Sequence, residues 1–265
     1  MALGIIVPIY NTGEYLRKCL TSIQNQTFKN WNCYLVDDYS TDPLTINIIQ
    51  TFLNDSRFHL IRNKSNCGVS FSRNKGIELS ILENEYITFI DHDDWIEPNL
   101  YSKAISFFKK GIDWVGFGQI RWNDKNESWV KELERKTPSG EYELLDSPRY
   151  TFVWNKIFKS DVIKKYDIKF LEERDGISAI PEDTCFSILY AAYASKGYYL
   201  KDLLYNHIYH SSSLAVQVNN DKNVYYRKLL AFLLLRSELV RRNVYSNVSN
   251  VVERRISKLI RQIGY

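Results

Sequence analysis

Sulfur and long apolar runs are both scarce in this 265-residue chain, and each scarcity removes a class of protein. The four cysteines, Cys19, Cys33, Cys67 and Cys185, lack the close pairing that thiolate zinc sites use and are too few for a disulfide framework. They read as reduced, structural thiols. No apolar stretch approaches the roughly 20 residues that span a bilayer, and the N-terminus lacks the charged-then-apolar layout of a signal peptide, so a cytoplasmic protein is expected. Internal repeats and low-complexity segments are missing as well. What remains is an ordinary globular composition, with 45% hydrophobic and 25% charged residues, long enough for one large α/β domain with a helical appendage.

The net charge of +4 is unevenly placed. From Lys222 to Tyr265 there are ten Lys or Arg against two acids, so the basic excess belongs to the tail and the preceding residues are net acidic. Within that tail Val248, Val251, Val252, Ile256, Leu259, Ile260 and Ile263 recur at helical spacing, while Arg254, Arg255, Lys258 and Arg261 crowd other positions. Such a helix suits docking on the rest of the chain or on a twin subunit, and, as a second reading, peripheral contact with the inner face of a membrane. No nucleic-acid motif accompanies it, and a nucleic-acid partner is set aside.

Along the chain, strands alternate with helices, which implies a largely parallel sheet. Leu3 to Ile9 reads as a buried strand. Tyr15, Leu16, Cys19, Leu20 and Ile23 then lie at helical spacing. A second strand at about Asn32 to Val36 runs into Asp37-Asp38, and Thr41-Asp42-Pro43 offers a capping residue and a first-turn proline for the next helix. Phe58 to Ile61 makes a third strand, Ser70 to Leu82 a helix and Tyr86 to Ile90 a fourth strand. A helix from Pro98 to Lys110, a strand over Asp113 to Ile120 and an aperiodic excursion from Arg121 to Arg149 follow. Regular structure resumes near Thr151, with a helix over Glu182 to Ala194, a strand over Tyr198 to Tyr205 and a helical C-terminus.

In sheets of this kind ligands bind beyond the carboxyl ends of the strands, and polar residues fall there repeatedly. Tyr10-Asn11, Asp37-Asp38 and Asp91-His92-Asp93-Asp94 would converge. Asp91, Asp93 and Asp94 close an apolar strand, so several carboxylates meet at one spot and call for a cation. Hard oxygen ligands suit Mn²⁺ or Mg²⁺ held by one or two carboxylates and completed by water and a substrate diphosphate. The plain structural reading of the run is a cap on the helix after Pro98.

The residues also carry a family resemblance. Ile6-Val7-Pro8-Ile9-Tyr10-Asn11 with Tyr15-Leu16, Ser22-Ile23-Gln24-Asn25-Gln26-Thr27-Phe28, Val36-Asp37-Asp38-Tyr39-Ser40-Thr41-Asp42, Asn66-Cys67-Gly68-Val69-Ser70 with Ser72-Arg73-Asn74, and Ile90-Asp91-His92-Asp93-Asp94-Trp95 resemble, in order and spacing, the family 2 glycosyltransferases of the GT-A fold. The match covers roughly residues 3 to 120. Tyr39 departs from the family's usual Gly, and Ser72 from its common Ala. The resemblance implies a Rossmann-like, mostly parallel sheet flanked by helices with a helical C-terminal extension. Residues 1–215 would form the catalytic domain, with a nucleotide-sugar half at 1–120 and an acceptor-side half at 121–215. Residues 216–265 would be the basic tail.

The implied activity is inverting, metal-dependent transfer of a sugar, from UDP by implication, to a hydroxyl of a glycan or lipid-linked acceptor in bacterial surface-glycan synthesis. By resemblance, Pro8, Tyr10 and Asn11 would embrace the base, Asp38 would accept from its ring N–H and Arg73 would help hold it. Asp93 and Asp94, supported by Asp91, would hold the metal and ribose. Trp154, in Trp154-Asn155-Lys156, would supply a stacking ring near the donor sugar and acceptor, and structural packing is its other reading. Glu182-Asp183 resembles the family's acidic pair, with Asp183 as the base that takes the acceptor proton. His207 and His210 lie near Ser211-Ser212-Ser213, where a chain section could return over the diphosphate, but they read more simply as surface histidines. A catalytically silent glycan-binding or scaffold protein on the same fold is the alternative from another class. A nucleotidyltransferase would require a Gly-rich basic phosphate loop, which Pro8-Ile9-Tyr10-Asn11 is not.

Overall fold

The computed structural model describes residues 1–108, 111–123, 125, 127–129, 137–147, 150–172, 181–209 and 223–264. The first strand, β1 (Leu3–Ile9), is buried along its whole length, as a continuous apolar run in a central parallel strand should be. It is flanked by β2 (Trp31–Asp37) and β4 (Tyr86–Phe89), both parallel to it, and β3 (Phe58–Arg62) extends the sheet outside β2. Between them run α1 (Glu14–Gln24), α2 (Pro43–Phe52) and α3 (Val69–Ser80). Of the Thr41-Asp42 pair it is Asp42 that caps α2, accepting from the Leu44 and Thr45 N–H groups.

The second half completes the sheet. It contributes β5 (Trp95–Ile96), β6 (Trp114–Asn123), β7 (Ser128–Trp129), β8 (Gly140–Glu143), β9 (Lys156–Lys159) and β10 (Lys196–Tyr209). The order is β3-β2-β1-β4-β9-β6-β10-β5, with β7 on β6 and β8 on β10. Because β9 is antiparallel to both β4 and β6, and β10 is parallel to β6, strands β1 to β4, β6 and β10 all end at the same edge. That shared edge gathers the polar strand ends.

Side-chain alternation along β1 splits the interior in two. Ile5, Val7 and Ile9 face a core filled by α1, α2 and α4 (Leu100–Ile105). Ile6 faces the other core, with α3, α5 (Ser160–Tyr166), α6 (Glu182–Ala191), α7 (Val224–Arg241) and α8 (Ser249–Ile263). The approach of α3 to the sheet is close enough that a Cβ on Gly76 would lie 2.4 Å from Ile6 Cγ2. On the same principle, a Cβ on Gly197 of β10 would lie 2.2 Å from the Trp114 ring.

Several boundaries differ from the sequence expectation. The helix expected over 98–110 is only Leu100–Ile105 among the described residues, and the one expected to reach Ala194 ends at Ala191. Strand β10 outruns its expected span of 198–205 at both ends. The excursion over 121–149 contains β7 and β8, which rejoin the sheet. Two-residue β5, strand β9 and helix α5 had no clear sequence signal. The basic tail supplies Ala231, Phe232, Leu235, Leu239, Val252, Ile256 and Leu259 to the core behind α6, so its apolar face is docked on the rest of the chain. Cys19, Cys33 and Cys185 are buried free thiols, and Cys67 is a half-buried one. Among the described residues no helix is long and apolar enough to cross a membrane.

Candidate active site

At the β1 end of the sheet edge, Pro8 is still in the ladder with Val36 but lies beyond the last β4 pairing at Ile6, so its missing N–H is tolerated there. Tyr10 follows, 44% exposed. Asn11, at φ 45°, accepts with its side-chain carbonyl from the Thr41 and Asp42 N–H groups and so ties the β1 turn to the segment after β2. Asp38 is buried, and its carboxylate accepts from Asn63 Nδ2, Cys67 N–H and Gly68 N–H at 2.8–2.9 Å. A carboxylate has about four acceptor sites, so this cradle leaves room for one further donor. Between them Tyr39 sits at φ 67°, a left-handed backbone that favours glycine and strains a tyrosine. Its ring is 47% exposed.

The acidic run after β4 divides by direction. Asp91 Oδ1 accepts from Arg73 at 2.8 Å, and its side chain is 27% exposed. Asp93 is half-buried at the strand edge. Asp94 is wholly buried: Oδ2 accepts from the Tyr205 hydroxyl at 2.7 Å and lies 3.1 Å from His207 Nδ1, while Oδ1 accepts from Ile208 N–H at 2.8 Å. Burial pushes the Asp94 carboxyl above its ordinary value, with His207 opposing. For His207, burial alone would lower the ring, but the Asp94 carboxylate outweighs it and holds the imidazole above its usual value. Expected as a metal ligand, Asp94 ties the run to β10 through both of its oxygens and is wholly buried. His207 is likewise no lone surface histidine. His210 and Ser211 to Ser213 lie outside the described residues.

Arg73, expected beside the base, is 3% exposed and committed to carboxylates. One terminal nitrogen donates to Asp91, and the other donates to Asp183 Oδ1 at 2.6 Å and Glu182 Oε1 at 3.2 Å. The other oxygen of Asp183 accepts from Val153 N–H at 3.3 Å. Burial pushes the Asp183 carboxyl up to about 7, Arg73 opposing and the neighbouring Glu182 and Asp91 charges adding to the rise. Three carboxylates share one guanidinium, so the cluster is short of positive charge. Close by, Lys156 is fully buried, donates to the Phe152 carbonyl and Asn155 Oδ1, and is lowered to about 7 by burial.

Trp154 was read either as a ring near the donor sugar or as structural packing. It is 4% exposed and stacked on Phe152, Tyr205 and His207 at centroid distances of 4.6–5.1 Å, which makes it part of the floor under the acidic run. The cation expectation fits only in part. Asp93 and the second oxygen of Asp91 match a Mg²⁺ or Mn²⁺ site that takes one or two protein carboxylates and borrows the rest. Asp94 does not, and among the described residues no three His, Cys, Asp or Glu converge as a metal cage.

Four contributors were given no role of their own by the sequence. Asn63 and the Cys67–Gly68 backbone hold Asp38, Tyr205 holds Asp94 and receives the Asp91 N–H, and Lys156 fastens the loop that carries Val153. Three of these act through neutral or backbone groups, which no charge pattern reveals. Lys156 stood in a singled-out segment, but its burial could not be read there.

The sequence profile described as Glycosyl transferase family 2 matches residues 4–167. The putative glycosyltransferase EpsH of Bacillus subtilis (strain 168) is 28% identical over 291 aligned positions, covering 99% of this chain and 82% of that protein. The poly(ribitol-phosphate) beta-N-acetylglucosaminyltransferase TarP of Staphylococcus aureus (strain N315) is 29% identical over 202 positions, 75% of this chain and 59% of that one. Among solved structures, S. aureus TarS 1-349 in complex with UDP-GlcNAc superposes with a TM-score of 0.72 at 24% identity, over 88% of this chain and 66% of that chain. That likeness shows the shared GT-A fold.

Proposed function

Since this chain belongs to glycosyl transferase family 2, we propose that it transfers a sugar, with inversion, from a uridine diphosphate donor to a hydroxyl of a bacterial surface glycan or its lipid-linked precursor. The observation that carries the mechanism is the Asp183 carboxyl, half-buried beside the acidic strand end and raised to about 7. A base that accepts a proton near neutral pH suits an acceptor hydroxyl. UDP-GlcNAc bound to TarS supports the uridine reading.

In this reading Tyr10 covers the base, whose ring N–H donates to the remaining acceptor site of Asp38, with Pro8 and Asn11 shaping the turn around it. Asp93, with Asp91, would hold Mn²⁺ or Mg²⁺. When bound, that cation stabilises the negative charge of the leaving group. The acceptor oxygen attacks the anomeric carbon as the carbon–oxygen bond to the diphosphate breaks, and the acceptor's proton passes to Asp183. Because attack and departure occur on opposite faces, the anomeric configuration inverts. Glu182 keeps Arg73 partly occupied and so keeps Asp183 basic.

A panel of UDP-, GDP-, CDP- and dTDP-sugars, assayed with Mn²⁺ and followed by proton NMR of the product, tests this directly. UDP-dependent transfer with inverted anomeric configuration is expected, and a retained configuration would overturn the mechanism. Asp183→Asn should lower transfer at least ~100-fold, the usual scale for losing a general base, while the protein stays folded. A silent scaffold would transfer nothing from any donor.

A further inference from the structure

We propose that Arg73 is the positioning residue for the base: its guanidinium aims the Asp183 carboxylate at the acceptor and fastens it to the donor-side strand end through Asp91. The proposal rests on Asp183 being the base. Three separate parts of the chain meet at this one side chain, namely α3, which carries Arg73, the segment just after β4, which carries Asp91, and the first turn of α6, which carries Glu182 and Asp183. They are distant in sequence, and Arg73 contacts each of the three carboxylates at 2.6–3.2 Å.

Its geometry is that of a fork. One terminal nitrogen faces Asp91 and the other faces the acidic pair, while Nε has no hydrogen-bond partner among the described residues. The whole grip therefore passes through two nitrogens in one rigid plane, at a spacing that a single ammonium cannot reproduce. At 3% exposure the guanidinium has little freedom to turn, and it lies 5.3 Å from the Phe170 ring, which backs it.

Asp183 is gripped from both sides as a result. Oδ1 faces Arg73, and Oδ2 accepts from Val153 N–H, in a loop whose Phe152 carbonyl is pinned by the buried Lys156 ammonium. A carboxylate held at both oxygens keeps one orientation. Reacting groups displaced by about 1 Å lose on the order of 100-fold in rate, so this grip matters to turnover rather than to nucleotide binding.

The experiment compares Arg73→Lys with Asp183→Asn and the unaltered chain. It measures kcat, the KM values for donor and acceptor, thermal midpoint and calorimetric binding of UDP in the presence of Mn²⁺. For Arg73→Lys we expect kcat to fall at least ~100-fold while UDP affinity stays within about threefold, because charge is kept and only the fork is lost. Should that variant fail to fold, the charge-balanced pair Arg73→Gln with Glu182→Gln carries the same test and the same expected split. A normal kcat with weakened UDP binding, alongside an inactive Asp183→Asn, would place Arg73 on the nucleotide and overturn the proposal alone. Full activity in Asp183→Asn would overturn the base assignment and the proposal together.

Discussion

A carboxyl raised by burial works as a base only where it is ionised. For Asp183, raised to about 7, transfer should therefore fall as pH drops through 7, well above the ~4 of a free carboxyl. The acid limb of kcat/KM against pH checks this, and a limb near pH 4 would remove the half-buried base. The sign for stability is opposite. The folded protein binds this proton more tightly than the unfolded chain, so the contribution is present at acid pH and is lost as pH rises through about 7. Neighbours in the acidic run should likewise part company. Asp94→Asn turns a donor toward groups that already donate and should cost about 1–3 kcal/mol in urea unfolding. Asp93→Asn should remove transfer at a smaller cost in stability than Asp94→Asn, since Asp93 is half-buried where Asp94 is sealed. Equal destabilisation by both would contradict the division of roles.

Helix α3 shows how an element is placed for its function. Apart from Ile77, its buried residues are small or polar, namely Ser70, Ser72, Arg73, Asn74, Gly76 and Ser80. Its place against β1 therefore depends on close approach rather than on bulky packing. Gly76→Ala would force a Cβ onto Ile6 and should cost about 1–3 kcal/mol by overpacking. Because Arg73 is fixed to the same helix turn, the variant should also lose transfer at temperatures where it remains folded. An unchanged thermal midpoint would mean that β1 and α3 separate at little cost. The first four strands and the helices between them were legible because apolar runs of seven or fewer residues alternate with helical stripes. Strand β9 was not, because Lys156-Ile157-Phe158-Lys159 is too short to declare a period and gains its identity from β4 and β6 on either side.

For the whole molecule, the basic tail behaves as part of the folded body. Leu235 of α7 is fully buried in the core shared with α6 and β9. Leu235→Ala should cost about 2–5 kcal/mol and shift the urea transition of the whole chain. An early, separate transition for the tail would show that α7 and α8 fold apart from the sheet. Docking of the apolar face leaves Arg254, Lys258 and Arg261 exposed on α8, so the charge read from the sequence lies at the surface.

Local pattern determined the βαβ character, the Asp42 cap, the acidic run at the end of β4 and the acidic pair at the start of α6, because each is written within a few neighbouring residues. Tertiary structure decided which carboxylate faces where. Asp91, Asp93 and Asp94 are chemically alike in sequence, yet one pairs with Arg73, one lies half-buried at the edge and one is sealed against β10. The same holds for Arg73, whose three partners lie 18, 109 and 110 residues away. Burial and long-range pairing set the charge and aim of these groups, and neither quantity exists until the chain has closed.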